Sequence, residues 1–137
     1  MTRPAQFPWV SPYIMASHLD SALEFYTKAF GFELKEKTPE HAELRYKDQI
    51  LMFGQEGSYG STSKSPKSSH TESPITLYIY CENVDEFHRN AVESGAKSLS
   101  APEDMFWGDR MCRLQCPEGY GWAFATNLGI PCNSSKT

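Results

Sequence analysis

Along the first third of the chain the spacing of apolar positions changes period twice. In WVSPYIMA, residues 9–16, alternation sets Val10, Ile14 and Ala16 against Ser11, Tyr13 and Met15, which predicts a strand with Val10, Ile14 and Ala16 turned toward a helix. In HLDSALEFYTKAFGF, residues 18–32, Ala22, Leu23, Tyr26, Ala29 and Phe30 fall at helical spacing, and Gly31 follows as a left-handed cap. Period two then returns in FELKEK, HAELRY and QILMFG, which predict three more strands.

The same order recurs further on. ITLYIYC alternates Leu77, Ile79 and Cys81 with Thr76, Tyr78 and Tyr80. NVDEFHRNAVESGAK begins with Asn83 as a cap and Glu86 three residues later. It carries Val84, Phe87, His88, Ala91 and Val92 as a stripe and stops at Gly95. AKSLSA, DRMCRLQC and YGWAFAT supply three closing strands. With Asp20 and Asp85 as landmarks, the chain reads as a duplication, residues 8–54 and 75–127. Residues 55–74, rich in Ser, Gly, Lys and Pro, read as a flexible surface connection with almost nothing to bury.

A 137-residue chain is the size of one domain, 1–137. One helix on one face of four strands, in a unit of about 60 residues, buries too little alone. The halves are therefore expected to pack together or against another chain. The predicted fold class is α+β: two tandem βαβββ modules forming a curled mixed sheet around a cleft.

Composition narrows the function classes. Hydrophobic residues make up 39% and charged residues 22% of the chain, and the net charge of -4 comes without any Lys/Arg stripe, so nucleic acid is not an expected partner. No apolar run approaches the ~20 residues that span a bilayer, and the N-terminus has no apolar core of signal-peptide length. A cytoplasmic protein with no membrane partner is expected. The four cysteines, Cys81, Cys112, Cys116 and Cys132, include no C-x-x-C pair and read as buried or inert thiols.

The duplicated βαβββ order, the stretch PYIMASHLDSALEFYTKAFGF and the closing FWGDRMCRLQCPEGYGW together resemble the vicinal oxygen chelate superfamily of glyoxalase I, extradiol dioxygenases and bleomycin-resistance proteins. The A-L-x-F-Y-x-x-A-F-G-F helix pattern and the W-G-D-R stretch are most similar to its PhnB-like branch. The resemblance covers residues 8–127 and implies a cleft in which enzymes hold a divalent metal through His or Glu. Counting back nine residues from the helix landmarks gives Ser11 and Thr76, where family enzymes commonly carry His. On the closing strands, Ala123 and the run Ile50 to Gly54 offer no His, Asp or Glu. His18 is expected in the strand-to-helix corner, His41 in a turn, His70 in the connection and His88 as a structural residue on the second helix. No metal and no cofactor are expected.

What the cleft faces offer instead is aromatic and hydroxylic: Ser11, Tyr13 and Met15 from one module, Thr76, Tyr78 and Tyr80 from the other. Such a surface suits a flat or amphipathic organic ligand, or the rings simply fill the space between modules. Phe106, Trp107 and Arg110 are read as the mouth of the cleft, with Arg110 either an anchor for a ligand carboxylate or phosphate or a salt-bridge partner of Asp109 or Glu103. Trp122 and Phe124 have helix-facing parity, and Pro117 to Gly119 has the chemistry of a type I turn.

The expected function is metal-independent binding of a small aromatic or amphipathic molecule in the inter-module cleft, similar to a bleomycin-resistance protein, by a chain acting as a homodimer. The alternative is an enzyme, a glyoxalase-type lyase or a dioxygenase-like enzyme with divergent metal ligands, or a metal-free isomerase. A metal-free enzyme needs a general base, and these faces supply only tyrosines, Ser11 and Thr76.

Overall fold

A computed structural model describes residues 2–129, so Cys132 lies outside the described residues. The chain divides into two compact units, Met1–Thr71 and Glu72–Thr137.

In the first unit, β1 (Tyr13–Ala16) leads to α1 (Leu19–Ala29), β2 (Glu33–Lys37), β3 (His41–Tyr46) and β4 (Gln49–Gln55). The sheet order is β1-β4-β3-β2, with β1 parallel to β4 and the other pairs antiparallel. Leu23, Tyr26 and Phe30 are buried, as the helical spacing predicts, and Tyr26 meets Phe53 of β4 at 4.9 Å between ring centroids. Gly31 takes the left-handed conformation, φ 72°, that ends the helix. Val10 is a correction: the strand starts only at Tyr13, after Pro12, so the alternation does not extend back to Val10, which is 81% exposed.

The Ser-rich connection is also a correction, because it does bury something. It contains a 3₁₀ turn at Ser58–Gly60 and a short helix, α2 (Pro66–Ser69), with Ser65 and Pro66 both buried. The Glu56 carboxylate accepts from the Ser65 amide at 2.8 Å and from the Ser68 hydroxyl at 2.9 Å, tying this stretch to the end of β4.

The second unit repeats the plan as β5 (Thr76–Tyr80), α3 (Val84–Glu93), β6 (Lys97–Asp104), β7 (Asp109–Gln115) and β8 (Gly121–Asn127). The order is β5-β8-β7-β6, with β5 parallel to β8. Trp122 and Phe124 are buried on the helix side, and Phe124 stacks on Phe87 at 4.0 Å between ring centroids. Asn83 caps α3 by accepting from the Glu86 amide at 3.1 Å, as its position predicts. Val92 departs from the predicted stripe and is 40% exposed, while its neighbour Ala91 is fully buried. The turn at Pro117 closes with a hydrogen bond from the Gly119 amide to the Cys116 carbonyl at 2.9 Å.

Both modules lock the strand-to-helix corner by the same device, built from different residues. In the first, the Gln55 side chain accepts from the Leu19 amide at 2.8 Å and donates to the Ser17 carbonyl at 2.7 Å. In the second, the Thr126 hydroxyl accepts from the Val84 amide at 2.9 Å and donates to the Cys81 carbonyl at 3.0 Å. Each thereby satisfies an otherwise orphaned donor at a helix start. Replacing Thr126 by Val keeps the shape and removes both bonds; it should lower unfolding free energy by about 1–2 kcal/mol. Urea unfolding measures this, and an unchanged midpoint would contradict the corner lock.

Candidate functional site

Each sheet has one face under its helix and one face turned the other way, and the second kind carries the candidate chemistry. In the second unit the middle of that face is β8, where Gly121, Ala123 and Ala125 alternate with the helix-facing Trp122 and Phe124. Register places Tyr78, Ala123 and Arg113 in one row, Tyr80, Ala125 and Met111 in the next, and Thr76, Gly121 and Gln115 in a third. The small residues of β8 form a floor between larger side chains on β5 and β7.

Asp109 organises one end of this floor. It is 1% exposed, and its carboxylate accepts from the Tyr78 hydroxyl at 2.7 Å, the Tyr80 hydroxyl at 2.8 Å and the Asn127 amide at 3.0 Å. Trp107 donates its indole N–H to the Tyr78 oxygen at 3.0 Å and packs against Met111, Ala123 and Ala125. Phe106, 62% exposed, sets its ring edge-on to Trp107 at 5.0 Å. Tyr78 and Tyr80 meet edge to face at 5.6 Å and stay 41% and 52% exposed. Their hydroxyls are thus engaged while their rings remain accessible.

The protonation states follow from these contacts. Burial pushes the Asp109 carboxyl up, but the hydrogen bonds from Tyr78, Asn127, Tyr80 and Trp107 outweigh it and hold the group below the ordinary value. Burial and then the neighbouring Asp109 push the Tyr78 phenol up to about 12, against the lowering effect of Trp107. Tyr80 is raised as well, first by its hydrogen bond to Asp109.

Arg110, expected beside Trp107 at the same mouth, is a correction. It lies on the opposite, helix-facing side of β7. There its guanidinium makes a two-pronged pair with Asp85 of α3, at 2.9 and 3.0 Å, and a further bond to Asp104 at 3.0 Å. These carboxylates raise Arg110 above its ordinary value. Neither Asp109 nor Glu103 is its partner, and alternation gives the reason: Asp109 and Arg110 are neighbours on one strand and point to opposite faces.

In the first unit, Tyr13 stands on the face away from α1, 49% exposed, and its ring covers Gly54, where a Cβ would come within 2.7 Å of it. Met15 shares that face by alternation but is only 8% exposed, so it is not an open lining residue. Ser11 precedes β1, and its hydroxyl is buried without a hydrogen-bond partner among the described residues.

His41, expected in a turn, begins β3 and joins Tyr13 on this face. Its Nδ1 is 3.2 Å from the Tyr13 hydroxyl and its Nε2 is 3.3 Å from the Glu43 carboxylate. With Nε2–H donating to Glu43, Nδ1 is left to accept from Tyr13. Burial, then repulsion from Tyr59, raises the Tyr13 phenol, so it stays a donor. HAELRY holds the signal for this site: His41 and Glu43 alternate with the buried Ala42 and Leu44.

The other expected structural residues fit their roles. His88 bonds Ser98 of β6 at 2.7 Å. Cys112 and Cys116 are buried, Cys81 is half-buried, and burial pushes the Cys112 thiol up to about 11.

A family model, Glyoxalase/Bleomycin resistance protein/Dioxygenase superfamily, matches residues 6–124. The chain belongs to this superfamily. An uncharacterized protein of Mycobacterium bovis is 30% identical over 132 residues, covering 90% of this chain and 84% of the relative. The crystal structure of TioX from Micromonospora sp. ML1 is similar with a TM-score of 0.72 and 24% identity, covering 88% of this chain and 100% of that one. A glyoxalase/bleomycin resistance protein/dioxygenase from Nocardioides is similar with a TM-score of 0.71 and 18% identity, covering 92% and 87%. At these identities the solved structures speak for the fold, two tandem βαβββ modules.

The superfamily's metal can be tested against the residues present. The positions that would supply ligands hold the Ser11 and Thr76 hydroxyls, the Ala123 methyl and, opposite Tyr13 on β4, the Met52 thioether. Such a set does not fit a hard or borderline divalent cation. Among the described residues no three His, Cys, Asp or Glu side chains converge to hold one. No described helix is long and apolar enough to cross a membrane.

Tyr78 yields a pH prediction. Its folded pKa lies above the ordinary 10.0, so its stabilising contribution is complete below pH 10 and disappears as the pH rises toward about 12. Asp109 acts in the opposite sense: its contribution holds above 3.8 and is lost as pH falls through its lower folded value. Asp109→Asn should shift the alkaline phenol titration, followed by absorbance near the phenolate band, to lower pH. An unmoved titration would contradict Asp109's hold on the phenols.

Proposed function

We propose that this protein binds a small, flat, amphipathic aromatic molecule without a metal, in the sequestering manner of a bleomycin-resistance-like member of its superfamily. One observation carries the reading: Tyr78 and Tyr80 surrender their hydroxyls to a buried carboxylate and keep their rings exposed. Stacking a ligand on them desolvates little besides apolar surface, and the rings lose little further freedom because Asp109 already holds them. Offset or edge-on aromatic contacts contribute about 0.5–1.5 kcal/mol each beyond area burial. We place the chain in the PhnB-like branch on its first-helix pattern and its W-G-D-R stretch, and read it as a homodimer.

A second reading rests on Tyr13, His41 and Glu43. A carboxylate that orients an imidazole whose other nitrogen meets a phenol is an acid–base relay, the general base that a metal-free isomerase or lyase needs. α-Proton exchange of carbonyl compounds in D₂O, followed by NMR, separates the two readings. Exchange that His41→Gln abolishes makes the protein an enzyme, and absence of exchange leaves binding alone.

The binding reading predicts that planar ligands quench Trp107 fluorescence saturably. Trp107→Phe should remove the quenching, because Trp107 is the tryptophan packed beside Tyr78 on the stacking face, whereas Trp122 is buried under α3. A broad panel of planar ligands that leaves the emission unchanged would contradict it.

A further inference from the structure

The face of the second sheet is closed at one end and open at the other. At the closed end Tyr78, Tyr80, Trp107 and Asp109 cover Ala125 and Met111. At the open end lies a depression of about 310 Å³, lined among others by Thr76, Arg113, Gln115 and Gly121. Gly121 keeps its floor low: a Cβ there would sit 3.3 Å from the Thr76 hydroxyl.

Arg113 gives this depression its chemistry. It stands in the same row as Tyr78, separated from it by Ala123 alone, and it is exposed. Its guanidinium makes no ion pair or hydrogen bond among the described residues, in contrast to Arg110, which is saturated by Asp85 and Asp104. Row spacing follows from strand spacing, so Arg113 and Tyr78 lie ~10 Å apart at their backbones across one small residue. A fused-ring ligand spans that distance, stacking at one end and presenting an acid at the other. Thr76 and Gln115 add a hydroxyl and an amide beside the guanidinium.

Resting on the binding function proposed above, we infer that Arg113, with Thr76 and Gln115, is the anchor for an anionic group, so that the ligand is an aromatic carboxylate or phosphate. The guanidinium's planar fork matches such a group with two parallel hydrogen bonds. Glu72 also lines the depression and is exposed. It opposes an anion, so removing its charge strengthens the site.

The test compares matched planar carboxylates and their neutral amides on naphthalene, indole and quinoline scaffolds, by calorimetric titration of the full chain. The carboxylates should bind roughly ten-fold or more tightly than the amides. Arg113→Gln should bring the carboxylate down to the amide, Arg113→Lys should retain part of the preference, and Glu72→Gln should increase it. Equal binding of carboxylate and amide, or a preference that survives Arg113→Gln, overturns the anionic anchor and leaves the stacking function standing. Failure of every scaffold in both forms overturns both. Arg113 and Glu72 are exposed, and unchanged thermal unfolding of the variants confirms that affinity alone is read.

Discussion

Asp109 is the constraint on which the candidate face of the second module depends. A buried carboxylate is tolerable only when its oxygens are satisfied, and here two phenols and an amide satisfy them. In meeting that need, Tyr78 and Tyr80 are drawn to one end of the sheet face, and Trp107 follows Tyr78. The result is a fixed aromatic surface at one end and an open depression with a free cation at the other. An apolar residue in place of Asp109 would let the phenols turn to water and would dissolve the division between the two ends.

The duplication shows what the fold requires and what it leaves free. Both modules need the first amide of the helix satisfied from the end of the last strand, and Gln55 and Thr126 do this with different functional groups. Both pair an acid in the first helical turn with a strand cation, Asp20 with Lys37 and Asp85 with Arg110. Arg110 is thus part of the scaffold. The faces away from the helices carry no such shared device: one has Tyr13, His41 and Glu43, the other Tyr78, Tyr80 and Asp109. Divergence there, over a constant frame, is how a common fold acquires separate functions.

The frame was legible in the sequence because period 3.6 and period 2 each repeat twice in the same order, with Gly31 and Gly95 closing the helices. Tyr78 and Tyr80 were legible for the same reason, since Leu77 and Ile79 fix the phase of β5. The W-G-D-R stretch was not, because Met111 and Cys112 are adjacent and both apolar, leaving the phase of β7 open. Only the register with β8 puts Asp109 beside the tyrosines and Arg110 beneath α3. His41 was missed although its parity with Glu43 could be read, because its place at the strand's edge looks like a turn. The order in the 55–74 connection rests on Glu56 reaching Ser65 and Ser68, a contact that composition does not reveal.

Native mass spectrometry of protein purified without chelators tests metal-free binding most directly, since it weighs metal and organic ligand together. The predicted result is a chain without stoichiometric metal that carries, or on addition takes up, one planar organic molecule. One metal ion per chain, retained through desalting, would contradict it and would mean that donors other than Ser11, Thr76 and Ala123 form the site.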